Sequence, residues 1–101
     1  MTNPIAQRSP ALPTDARVYR RIGPFDSQTL PSALTREHRL KAGAWGILRV
    51  QSGSVVFVWD DQEGGTCALA AGDAIIVPPQ VPHHLDIQGD FRLEIEFLRL
   101  P

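Results

Sequence analysis

A chain of 101 residues with 43% hydrophobic and 21% charged side chains has the size and composition of one globular domain with a thin core. Its formal net charge of −1 supplies no basic field for nucleic acid or an anionic membrane, and neither is expected as a partner. Cys67, the single cysteine, excludes an intramolecular disulfide and a thiolate-rich zinc site, so a reducing, cytoplasmic setting is expected.

Residues 1–16 carry Pro4, Pro10 and Pro13 without periodicity and are expected to form a flexible arm ahead of a domain over residues 17–101. The arm has no apolar run of signal-peptide length, and no segment is long enough to span a bilayer. Alternation from Arg17 to Ile22 predicts a strand with Val18, Arg20 and Ile22 on one face, ended by Gly23-Pro24. Phe25 to Pro31 reads as a loop. From Ala33 to Leu40 the alternation resumes, and a strand is preferred over a helix, with Leu34, Arg36, His38 and Leu40 sharing a face.

Trp45 to Gln51 and Ser54 to Trp59 flank Ser52-Gly53, the pattern of a hairpin with a two-residue loop. A polar loop over residues 60–65 leads to a strand at Thr66 to Ala70, and the turn Ala71-Gly72-Asp73 leads to another at Ala74 to Val77. After a stiff corner at Pro78 and Pro79 come strands at Val81 to Ile87 and at Phe91 to Leu100. Eight short strands and no firm helix predict an all-β fold that closes on itself as a barrel or jelly roll.

Gly72, Pro78 and His83 fall at the spacing of the second cupin motif, G-x5-P-x-G-x2-H-x3-N, with Gln80 where glycine is usual and Ile87 where asparagine is. Thr29-Leu30-Pro31, His38 to Gly46, Val50 to Gly53, Pro78 to His83 and Glu94 to Phe97 follow in the order seen in one branch of that superfamily. Over residues 17–100 the chain therefore resembles the small single-domain cupins of the TehB/YeaR-like group, associated with tellurite resistance. The resemblance implies a single-domain cupin β-barrel, a double-stranded β-helix or jelly roll, often metal-binding in the wider superfamily. The first cupin motif is broken: its histidine positions fall on Leu40 and Ala42, or on Arg39 and Lys41, and its glutamate position on Gly46.

His83 shares strand parity with Val81, Leu85 and Ile87 and is expected to face the interior, which turns His84 to the other side. His38, with Leu34 and Leu40, is expected inside as well. With Glu96 they would form a two-histidine, one-carboxylate set for a divalent metal such as zinc, iron or nickel. The obstacle is that Glu96 lies opposite in parity to Ile95 and Phe97. The plainer alternative makes both histidines satisfied core residues and pairs Glu96 with a surface arginine.

Arg36, Trp45 and Arg49 are candidate ligand-pocket residues, the arginines favouring an anion, and Gly43 and Gly46 beside Trp45 open a slot. The leading expectation is a small cytoplasmic cupin that binds a small ligand, with or without a divalent metal, in a stress-response or detoxification role tied to tellurite or another oxyanion. Two alternatives stay open: a metal-dependent oxygenase or isomerase, and a non-catalytic homodimeric interaction module.

Overall fold

One strand, β2 (Ala44–Trp59), runs unbroken through the Ser52-Gly53 pair that marks a hairpin in the sequence, and the rest of the chain is built on it. The computed structural model describes residues 12–101, so most of the expected arm lies outside the described residues. Before β2 come β1 (Arg17–Asp26) and a 3₁₀ turn at Ser32–Thr35; after it come β3 (Thr66–Ala70), β4 (Ala74–Val77), β5 (His83–Asp86) and β6 (Phe91–Arg99). Among the described residues every strand pairing is antiparallel. Among the described residues, no helix is long and apolar enough to cross a membrane.

The first half of β2 lies between β6 and β4, with β1 outside β6, and its second half lies between β3 and β5. A single strand thus belongs to two sheets. Gly53 makes the passage possible: it has φ +67, and a Cβ there would stand 2.1 Å from the Asp90 carbonyl oxygen and 2.8 Å from Phe91 Cα. This glycine is required by the close approach of a neighbouring backbone, not by a hairpin loop. The hairpin expectation is corrected accordingly.

Two other expectations are corrected. Ala33 to Leu40 is not a strand: after Pro31 the chain makes the 3₁₀ turn, with Leu34 N–H donating to Pro31 O at 3.0 Å, and then runs extended with only an isolated bridge between His38 and His83. Leu34 and His38 are four residues apart, a spacing that puts side chains on one face in both a helix and a strand, so the pattern could not separate them. β1 does not stop at Gly23-Pro24 but continues to Asp26 through a register shift between Ile22 and Phe25. As an edge strand it tolerates a proline, which has no N–H to give to the ladder.

The core follows the alternation. Cys67 and Leu69 on β3, Ile75 and Val77 on β4, Leu85 on β5, and Phe91, Leu93 and Ile95 on β6 are buried against Leu48, Val50, Val55, Phe57 and Trp59 of β2. Burying each such aliphatic or aromatic side chain stabilises the fold by about 1.5–3 kcal/mol, before the opposing loss of chain entropy. Phe57 and Leu93, 1% and 0% exposed, mark the centre where the two sheets meet.

Candidate functional site

The site is assembled by the corner that follows β4. Past Pro78 and Pro79 the chain turns at Gln80, whose N–H donates to Leu40 O at 2.9 Å and so ties the corner to the segment after the 3₁₀ turn. Three residues on, His83 N–H donates to His38 O and His38 N–H donates to His83 O, both at 2.9 Å. This closed pair of backbone bonds sets the two imidazoles edge to face, with ring centroids 4.3 Å apart and planes inclined at 65°.

Each ring is oriented by a second bond. His38 Nδ1 lies 2.8 Å from Arg36 O, and His83 Nδ1 lies 2.8 Å from Val81 O. A carbonyl only accepts, so in the neutral form of either ring the proton is on Nδ1 and Nε2 keeps its lone pair. His83 is 4% exposed and stacks on Phe57 with centroids 5.1 Å apart. Burial disfavours its charged form and lowers its pKa from 6.5 to about 4, so it is neutral at pH 7.

Both imidazoles line one partly open cavity of about 150 Å³. Its other walls are apolar: Leu34 and Leu40 from the approach segment, Leu48 and Phe57 from β2, Val77 and Leu85 from β4 and β5, and Ile95 and Phe97 from β6. Gly46 gives the remaining wall, and a Cβ there would meet Leu40 Cδ1 at 3.3 Å and Val77 Cβ at 3.6 Å. A cavity of this size and lining suits a ring-sized apolar group, with the two Nε2 atoms as hydrogen-bond acceptors.

The structure brings His38 and His83 together and sets the other expected site residues apart. Glu96 is buried on the opposite face of β6, where it accepts from Arg21 and, at 3.0 Å, from Arg49 Nε. Those two guanidiniums hold its carboxyl below the usual carboxylate range. Arg49 is thereby committed outside the cavity. Arg36 contributes its carbonyl oxygen to the site, and its side chain does not line the cavity.

Trp45 pairs with Leu98 and does not line the cavity either; its neighbour Gly46 does, and adjacent strand residues face opposite ways. The signal that separates them was present in the sequence, because Gly46, Leu48 and Val50 share one parity and Trp45, Ile47 and Arg49 the other. His84 faces away from His83 and its Nδ1 meets Asp60 Oδ2 at 2.7 Å. Phe57 and Phe97, which sequence reasoning did not assign to a site, are legible as walls only once β2 and β6 are known to be neighbours.

The family model described as a TehB-like domain matches residues 20–95. No curated protein gives a significant match to the sequence. Among solved structures, a structural-genomics target protein from E. coli strain K12 is similar with a TM-score of 0.80 at 21% identity, over 90% of this chain and 97% of that one. TehB from Haemophilus influenzae is similar with a TM-score of 0.78 at 22% identity, over 86% of this chain but only 32% of TehB. A cupin-2 domain protein from Shewanella frigidimarina is similar with a TM-score of 0.52 at 16% identity, over 93% of this chain and 78% of that one. At these identities the likeness is one of fold, and the fold is a cupin β-barrel.

Proposed function

Because the chain belongs to the TehB-like domain family, we propose that it is a small-molecule-binding cupin, taking an apolar ligand body into the barrel and meeting a hydrogen-bond donor of that ligand with His38 and His83. The observation that carries this reading is the pairing of two imidazoles, each oriented at Nδ1 by a backbone carbonyl, with an otherwise apolar cavity. A buried acceptor left without a donor costs about 1–3 kcal/mol, so the pair selects ligands that bring an O–H or N–H.

A resident divalent metal fits this donor set poorly. Backbone carbonyls at Nδ1 orient the rings as they do in metal-bound histidines, but a catalytic site uses three protein ligands and here the count is two. Among the described residues, no group of three or more histidine, cysteine, aspartate or glutamate side chains is placed to hold an ion. Glu96, the expected third ligand, is engaged by Arg21 and Arg49. The metal-dependent oxygenase or isomerase reading depends on that third donor.

An oxyanion such as tellurite would find no arginine or lysine among the cavity's lining residues. A detoxification or stress-response role, which the family likeness suggests, is therefore proposed through a ligand with an apolar body. The test compares phenol with toluene, equal in bulk and different in the donor. Phenol is expected to raise the melting temperature and perturb the His38 and His83 ring signals in NMR spectra, toluene to do so more weakly, and Gly46→Val to abolish both responses while remaining folded. Absence of any response to phenol in the unaltered protein would sink the reading.

A further inference from the structure

A second concavity lies beside the cavity and differs from it in charge. It is an open groove of about 320 Å³ whose lining includes Tyr19, Arg20, Arg39, Leu40, Lys41 and Phe97. Leu40 and Phe97 line the cavity too, so the two spaces share a wall. The Arg99 guanidinium lies over the Tyr19 ring, 4.6 Å from its centroid, and the Lys41 ammonium stands 6.0 Å from that centroid. Arg20, Arg39 and Lys41 thus line the groove with Tyr19, and Arg99 lies over the ring of that tyrosine.

Among the described residues, the carboxylate paired with any of these four is Glu37, 3.6 Å from Arg39, with both partners more than half exposed. Such a pair contributes little and leaves the groove cationic in a protein whose net charge is −1. The backbone aims one of the cations there. In β1, Val18 is opposite Leu98 and Arg20 is opposite Phe97, so Tyr19 is the extra residue of a bulge. Without it Arg20 would fall opposite Glu96; with it Arg20 stands across from the shared wall and Arg21 takes the place at Glu96.

We propose that this groove seats the anionic head of the ligand whose apolar body fills the cavity, so that the ligand class is a short carboxylic acid carrying a ring-sized apolar group with an O–H or N–H for the two histidines. The inference rests on the cavity reading above and adds to it the sign and position of the head group. A planar carboxylate matches the fork of an arginine, and Phe97, its ring centroid 6.5 Å from that of Tyr19, lies between the apolar and the charged parts.

The test titrates 3-(4-hydroxyphenyl)propionate and 4-(3-hydroxypropyl)phenol, which share the linker and a phenol ring that brings its O–H to His38 and His83 and differ in the head, by calorimetry at low ionic strength. The acid is expected to bind about tenfold more tightly, a factor within reach of one charge-assisted hydrogen bond, and to lose that advantage as salt is raised. The double variant Arg20→Gln, Lys41→Met, altering two groove side chains that carry no ion pair among the described residues, should bring the acid to the level of the alcohol and leave the alcohol unchanged. Equal binding of acid and alcohol by the unaltered protein overturns the proposal and leaves the cavity reading standing. An acid advantage that survives the double variant overturns it as well, by placing the head elsewhere. Binding of neither compound overturns both readings.

Discussion

His83 carries a cost that pH reveals. Its pKa in the folded chain is about 4, against 6.5 for an ordinary histidine, so between those values the unfolded chain takes up a proton that the folded chain refuses. Stability is therefore full above about pH 6.5 and falls as the pH drops toward 4, by roughly 2 kcal/mol between pH 7 and pH 5. Glu96 acts in the other part of the range: its lowered pKa keeps its contribution intact until the pH falls below the ordinary carboxylate value. Urea unfolding at pH 7 and pH 5 should show the loss in the unaltered protein and a smaller one in His83→Gln, and equal losses in the two would contradict the assignment. Gln80 carries a different strain. It has φ +65 at the position where the cupin motif has glycine, and a side chain in that region costs about 1–2 kcal/mol. Gln80→Gly relieves this and returns part of it as unfolded-state entropy, so a gain of up to about 1 kcal/mol is expected in the same assay. A loss of stability would mean that the Gln80 side chain does more at the corner than its backbone requires. The motif comparison had already marked Gln80 as a departure, and the dihedral angle gives the physical reason for the glycine it replaces.

At the scale of elements, the legible parts were those in which alternation and turn chemistry agree. β3, β4 and β6 lie where their patterns place them, within a residue at each end. What misled was chemistry with two structural uses. Ser52-Gly53 satisfies both a hairpin loop and a strand that must let another backbone pass close by, and a single sequence does not contain the neighbour, Asp90, that decides between them. Parity likewise placed His38 and His83 inside and His84 outside, but pairing across β6 was needed to see that Glu96 meets Arg21. The decision at Gly53 can be measured against Gly43, which has φ +80 and nothing within 4 Å of an added Cβ. Gly43→Ala pays only for its backbone conformation, about 1–2 kcal/mol. Gly53→Ala adds a collision with main-chain atoms that cannot swing aside, and should cost more than about 4 kcal/mol or prevent folding altogether. Comparable melting temperatures for the two variants would restore the hairpin reading of Ser52-Gly53.

For the whole molecule, the sharing of β2 between the sheets fixes how the protein comes apart. Among the described residues four strands pair directly with β2, β6 and β4 along its first half and β3 and β5 along its second, and β1 joins through β6. Separating the sheets would expose Leu48 and Val50 in one half of β2 together with Val55, Phe57 and Trp59 in the other, because these side chains belong to one buried cluster. Among the described residues neither sheet has a second core to fall back on, and at 101 residues the domain has little surplus burial. Unfolding should therefore be a single cooperative transition. The two tryptophans report on it independently: Trp45 pairs with Leu98 in the sheet that contains β6, and Trp59 pairs with His83 in the sheet that contains β5. In the single-tryptophan variants Trp45→Phe and Trp59→Phe, fluorescence and far-ultraviolet circular dichroism should trace the same urea transition within each variant. The slope of free energy against urea should agree between the two, since the same surface is exposed. If the Trp59 signal instead changed ahead of the circular dichroism, the β3–β5 sheet would be opening by itself. The cavity would then be bounded by a movable sheet, and ligand entry would follow that opening.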